Sequence, residues 1–215
     1  MDIPTASPTA LDALSVAVRR VAFAVLTERD SATTVDALAS AVASRASRPA
    51  ASGHAADEAR RSLYHVHLPM LGETGAVTFD PKSGLVAAAD DPPFDEAWIR
   101  RLVIDHPDPE YDPILDALAS ARRQAVLYEL FTGGAATPED LAAAVAAHER
   151  GGADTLETVR RVVGLSLAHT HLPLLADVGL VAGDSTAGTM RAGQTSWRSD
   201  PWVGLSPIGE WAAVE

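Results

Sequence analysis

Ser62-Leu63-Tyr64-His65-Val66-His67-Leu68-Pro69-Met70-Leu71 returns 104 residues later as Ser166-Leu167-Ala168-His169-Thr170-His171-Leu172-Pro173-Leu174-Leu175, identical at seven of ten positions. The same offset aligns Gly75-Ala76-Val77 with Gly179-Leu180-Val181, Asp80 with Asp184 and Gly84 with Gly188. Upstream it aligns Asp12-Ala13-Leu14 with Asp116-Ala117-Leu118, Arg19 with Arg123 and Leu26 with Leu130. A slip of one residue then matches Thr34 to Thr137, Leu38 to Leu141 and Val42 to Val145. Agreement at both ends and in the middle identifies a tandem duplication of a unit of about 80 residues.

Each unit reads as three helices and a hairpin. Leu11, Leu14, Val18, Val21, Val25 and Leu26 form an apolar stripe of helical period, as do Leu115, Leu118, Val126, Leu127 and Leu130, and predict the first helix of each copy. Thr137-Pro138-Glu139-Asp140 combines a capping hydroxyl, a proline at the first helical position and acids in the first turn, which starts a second helix. Thr34-Val35-Asp36 is its weaker counterpart. A third helix is expected near 57–73 and 158–177, stopped by Gly75 and Gly179. Val77-Thr78-Phe79, a turn at Asp80–Gly84 and Leu85-Val86 read as a hairpin, with a looser glycine-rich equivalent from Leu180 to Met190. The fold class predicted is mainly α (α+β), two tandem winged helix-turn-helix domains, each of three helices plus a β-hairpin wing. The expected boundaries are 10–90 and 113–192, with a linker at 91–112 and a tryptophan-rich packing segment at 193–215.

Composition bounds the rest. The chain has 215 residues, 47% hydrophobic and 21% charged, with mean hydropathy +0.05, a globular balance. The start MDIPTASP fits no secretory signal and no apolar run is long enough for a membrane span, so a cytoplasmic location is expected. The absence of cysteine removes disulfides, thiolate catalysis and cysteine-based metal centres. The 29 acidic residues outweigh the 17 basic ones, of which only Lys82 is lysine, and the net charge is −12. An acidic, lysine-poor, alanine-rich chain resembles the proteins of halophilic archaea. In molar salt the Debye length is about 3 Å, so this net charge neither requires nor forbids contact with nucleic acid.

His67-Leu68-x-x-Leu71-x-x-x-Gly75-Ala76-Val77 and its copy His171-Leu172-x-x-Leu175-x-x-x-Gly179-Leu180-Val181 resemble the recognition-helix end of ArsR-like winged-helix regulators. The tandem pattern as a whole resembles a haloarchaeal family of winged-helix domains of unestablished function. The resemblance covers roughly 10–90 and 113–192 and implies the fold more firmly than an activity. Pro69 and Pro173 depart from it, standing where a groove-reading helix carries a polar residue.

A helical wheel of the third helix places Ser62, His65, Pro69 and Gly72 outward, and Leu63, Tyr64, Val66, His67, Met70 and Leu71 on the core side. The two histidines of each His-x-His therefore point apart, against chelation of one metal ion. His67 and His171 read as core histidines bonded to a backbone carbonyl. Prolines 69 and 173 predict a kink, either to suit packing or to present the arginines before it. Arginine pairs stand at 19–20, 60–61, 100–101, 122–123 and 160–161, the only basic signal in the chain. Those of the third helices could reach phosphate or base edges or pair with surface carboxylates. The residues expected to contact DNA are Arg60, Arg61, Ser62, His65, Lys82, Arg160, Arg161, Ser166 and His169, the first copy being the better reader.

No nucleotide-binding loop, nucleophile elbow or paired carboxylates stand out, so neither an enzyme nor a bound cofactor or metal is expected. Between the copies, Trp98, Ile99, Leu102 and Val103 predict a docked amphipathic helix. Trp197, Trp202 and Trp211 are expected to pack on the second domain or to form a homodimer contact. The function expected is a DNA-binding transcriptional regulator acting on double-stranded DNA in a high-salt cytoplasm. The alternative is a protein–protein interaction module on the same scaffold.

Overall fold

The computed structural model describes residues 3–45, 53–92, 96–149, 156–193 and 196–212. The chain is mainly helical, with small antiparallel sheets. It divides into two compact units, Thr9–Leu115 and a second that joins the arm up to Pro8 to the chain from Asp116 onward.

In the first unit, α1 (Pro8–Leu14) and α2 (Ala17–Thr27) are followed by a short β1 (Thr33–Thr34) and α3 (Val35–Arg45). Then come α4 (Gly53–Ser62), a π turn over Leu63–His67 and α5 (Leu68–Glu73). A hairpin of β2 (Val77–Asp80) and β3 (Leu85–Ala88) follows, and α6 (Ala97–Asp105) closes the unit. The sheet order is β1-β3-β2, all antiparallel, with Phe79 opposite Val86 and Thr33 opposite the same valine on the other side. Leu11, Leu14, Leu26, Leu38, Leu63, Leu68 and Leu71 form the core, and α6 packs on α2 through Trp98, Ile99, Leu102 and Val103, all buried.

The second copy repeats this order. It has α7 (Asp112–Leu118), α8 (Ala121–Gly133), α9 (Pro138–Glu149), α10 (Leu156–Ser166), a π turn over Leu167–His171, and α11 (Leu172–Asp177). The hairpin β4 (Val181–Asp184) and β5 (Thr189–Ala192) comes next. A single bridge between Ala136 and Met190 stands in for β1. After it, a 3₁₀ turn (Ser196–Ser199), α12 (Pro201–Leu205) and α13 (Gly209–Ala212) bring Trp197, Trp202 and Trp211 into the unit. Their exposures are 1%, 0% and 8%. Trp211 stacks on Phe131 at 6.0 Å and meets Tyr128 edge-on, while the Arg198 guanidinium lies 4.2 Å over Phe131. All three indoles are buried, and none is exposed for the expected homodimer contact.

Four local readings change. Each stripe taken as one first helix is two helices, α1–α2 and α7–α8. In the first copy Ser15 donates its hydroxyl to Asp12 O at 2.9 Å; in the second Ser120 accepts from the Arg123 amide as an N-cap. A hydroxyl that bonds nearby backbone competes with helix continuation, and the stripe alone does not register it. The prolines bring a π turn, with the Leu68 amide bonded to Leu63 O and Leu172 to Leu167 O, five residues back. Proline has no N–H and its ring crowds the carbonyl four residues earlier, and the wider turn accommodates both. The widening also delays the angular advance of later residues, so Val66, assigned to the core side, is 48% exposed and Met70 and Tyr64 are half-buried. Finally, the second hairpin is as fully paired as the first, with four facing pairs from Val181–Ala192 to Asp184–Thr189. Gly75 and Gly179 stop the third helices with φ of 77° and 74°, values that disfavour a side chain.

Candidate functional site

The third helices carry the chemistry-bearing residues, and the π turn sorts them. His65 and His169 are exposed, His67 is buried and His171 half-buried, so the two histidines of each pair do point apart. The Ser62 hydroxyl meets His67 Nε2 at 2.8 Å across five residues, the interval at which a π turn stacks side chains. His67 therefore finds a serine rather than the expected backbone carbonyl, and Ser62, expected on DNA, is turned inward. Burial first, and then the Arg19 guanidinium, hold the His67 pKa below its ordinary value. Burial, then Arg123 and Arg122, do the same for His171. Among the described residues no three histidine or carboxylate side chains gather closely enough to hold a metal ion.

Arg60 and Arg61 lie at the end of α4 on the outside. Arg60 Nε is 3.3 Å from Asp36 Oδ1, in a pair whose side chains are 49% and 76% exposed; such a pair contributes little and is easily exchanged for another anion. Arg61 is exposed and donates to Asp57 O at 3.3 Å. Tyr64, not singled out from the sequence, ties this helix to the hairpin. Its hydroxyl donates to Pro81 O at 2.5 Å and its ring meets Phe79 edge-on at 5.4 Å. The turn that bears Lys82 is thereby held to the helix that bears Arg60, Arg61 and His65. Asp80 shapes the turn by accepting from Ser83 Oγ at 2.6 Å and the Lys82 amide at 2.9 Å, bonds that hold its carboxyl below the usual range.

The second copy keeps the frame and loses the fittings. Arg160, Arg161 and His169 are exposed and Ser166 is half-buried. Ala168 stands at the place of Tyr64, Gly183 at that of Phe79 and Thr186 at that of Lys82, so neither the tie nor the lysine recurs. Val162 and Leu165 are 54% and 59% exposed on α10, where the first copy has Glu58 and Arg61.

Pairs 19–20 and 122–123 are structural, contrary to their reading as part of a shared basic signal, while Arg100 and Arg101 are exposed on α6. Arg19 and Arg123 are buried and bond the carbonyls that end the preceding helix, Arg19 to Ala13 O at 2.5 Å and Asp12 O at 2.7 Å, Arg123 to Ala117 O at 2.5 Å and Asp116 O. Arg20 is wholly buried and ion-paired with Asp112 at 2.7 Å. Arg122 pairs with Glu149, and Arg101 with Asp105 at 2.6 Å. The coincidence of Arg19 and Arg123 at one offset was the available signal, since a residue kept in both copies beside an apolar stripe belongs to the frame.

No curated protein and no solved structure matches the chain. A family model, Domain of unknown function (DUF7344), matches it twice, over residues 11–87 and 115–191. Those spans coincide with the repeated helix–hairpin frame and together cover most of the chain, which therefore belongs to the DUF7344 family and carries its domain in tandem.

Proposed function

We propose that the chain is a DNA-binding transcriptional regulator built from two winged helix-turn-helix domains and working at high salt, in the cytoplasm, with the first copy as the reader. In this reading α4 and the following π turn enter a major groove, Arg60 and Arg61 meet phosphate or a guanine edge, and Lys82 on the hairpin touches the backbone. The observation that carries it is how the arginine pairs divide. Pairs 19–20 and 122–123 are engaged in their own frames, whereas Arg60, Arg61, Arg160 and Arg161 face outward on the third helices and Arg100 and Arg101 face outward on α6. In the first copy they share that side with a hairpin fastened by Tyr64.

The test is retention of genomic fragments by the protein in molar KCl, for wild type and for Arg60→Ala/Arg61→Ala. Enrichment by wild type, with a log–log salt slope shallower by about 2 in the variant, is expected, because each phosphate contact contributes about one to that slope. No enrichment by wild type removes the reading. A second reading, a protein-interaction module, draws on exposed Val162 and Leu165; apolar side chains at the outward face of α10 suit a protein surface better than a phosphate backbone.

A further inference from the structure

Position 20 of the first copy and position 124 of the second correspond at the repeat offset, yet one is arginine and the other glutamine. Both are 0% exposed. Both reach back to the last carbonyl of the preceding helix, Arg20 to Leu14 O at 2.7 Å and Gln124 to Leu118 O at 2.8 Å. Their other bonds go far along the chain. Arg20 holds the arm that leads into α7, through His106 O at 2.6 Å, Asp108 O at 2.8 Å and the Asp112 carboxylate at 2.7 Å. Gln124 holds the arm that leads into α1, accepting from the Ala6 amide and donating to Ala6 O, each at 2.9 Å. Trp211 Nε1 adds Pro4 O at 2.8 Å. Each unit is thus completed by the arm that introduces the other copy.

We infer that Arg20 and Gln124 are the specificity residues of two arm-accepting grooves, so that each groove takes the other copy's arm and rejects its own. Duplication creates the ambiguity, because the two arms are homologous and either could enter either groove. Arginine offers five donors and no acceptor. It suits an arm that presents carbonyls and a carboxylate, and Asp112 also accepts from the Ala17 amide at 2.9 Å. The other arm has Pro8 at the position of Asp112, so in the first groove it would leave a buried guanidinium without a counter-charge, a heavily penalised state. Glutamine offers an acceptor and two donors, matching the Ala6 N–H and C=O and Leu118 O. The arm with Asp108, Glu110 and Asp112 would set a carboxylate against that carboxamide with no cation. Rejection by unpaired charge is as much a part of the selection as attraction.

The test uses the full chain and reads amide hydrogen exchange separately in α2 and in α8. Gln124→Arg is expected to speed exchange in α8 on the order of a hundredfold and to leave α2 unchanged. Adding Pro8→Asp, which supplies the missing carboxylate, is expected to restore most of the protection, although Pro8→Asp alone gains none. The mirror set reads the first groove if Gln124→Arg does not fold: Arg20→Gln speeds exchange in α2, and Arg20→Gln/Asp112→Asn recovers part of it. Overturning outcomes are wild-type protection in Gln124→Arg, or double variants as unprotected as the singles.

Discussion

Replacing Arg19 with methionine tests whether the arginine kept in both copies is a strut of the frame. The guanidinium donates to Ala13 O, Asp12 O and Ser15 Oγ at 2.5, 2.7 and 2.9 Å, and its Nη1 lies 3.4 Å from Met70 Sδ. It therefore closes the end of α1 and leans on α5. Methionine keeps the apolar stem and deletes the donors, so Ala13 O loses the guanidinium and Asp12 O is left to Ser15 alone. Hydrogen bonds to a charged group contribute roughly 1.5–3 kcal/mol each, and relief of the guanidinium's desolvation opposes that loss, leaving a net cost of about 2–3 kcal/mol at neutral pH. Burial is the main influence lowering the Arg19 pKa, which is why the opposing contribution cannot be dropped.

The same variant carries a second readout. His67 is held neutral by burial and by Arg19, so as pH falls below the ordinary histidine value of about 6.5 the unfolded chain takes the proton first. Stability from this site is whole above that value and is lost progressively toward the lower folded pKa. Removing the Arg19 charge raises the folded pKa of His67 and shrinks that acid loss. His171, lowered by burial and then by Arg123 and Arg122 rather than by Arg19, keeps its titration and serves as the control. The assay is an NMR titration of both imidazoles with denaturant unfolding at each pH. An unmoved His67, or a neutral-pH cost under about 1 kcal/mol against the bonds counted above, refutes the strut.

Two further outcomes follow from single hydroxyls. Tyr64→Phe keeps the ring contact with Phe79 but loses the bond to Pro81 O; hydrogen exchange in β2 and β3 should rise by the equivalent of about 0.5–1.5 kcal/mol, with no change in β4 and β5. Thr137→Ala removes the oxygen that accepts from the Asp140 amide at 3.1 Å and should cost about 1 kcal/mol, read by denaturant unfolding; Thr137→Ser should recover most of it.

The repeat, the order of elements and the outward and inward histidines were legible because they rest on spacing, which a sequence displays directly. Thr34 and Thr137 also announced their helices, and both hydroxyls accept from the amide three residues on. What could not be read depended on geometry that spacing does not carry. A wheel assumes one pitch throughout, and the π turns break it at Leu63–His67 and Leu167–His171, which is why Val66 came out on the wrong side. Charge misled in a similar way: a paired arginine looks the same in sequence whether it faces water, as Arg61 does, or fills a frame, as Arg20 does. Tyr64 was passed over because its partner, Pro81 O, is a backbone atom with no sequence signature.

The recurring decapeptide has a structural meaning, which redirects where function should be sought. Leu63, Leu68 and Leu71, and Leu167, Leu172 and Leu175, are all buried. Ser62 and His67 are joined across the π turn, and the proline is the residue that makes an α-turn costly there. The motif encodes a helix widened at one place, and a duplicated chain keeps it twice because both copies need the same core. What sets one copy apart from the other lies where they disagree although the frame is the same: Tyr64 against Ala168, Arg61 against Leu165, Lys82 against Thr186, Arg20 against Gln124. The first three lie around one helix and one hairpin, and their differences leave the first copy charged and fastened, the second apolar and unfastened. The fourth lies in the arm grooves, where a difference is what keeps two homologous arms apart. Divergence at fixed geometry thus separates what the domain needs in order to fold from what each copy does with the fold.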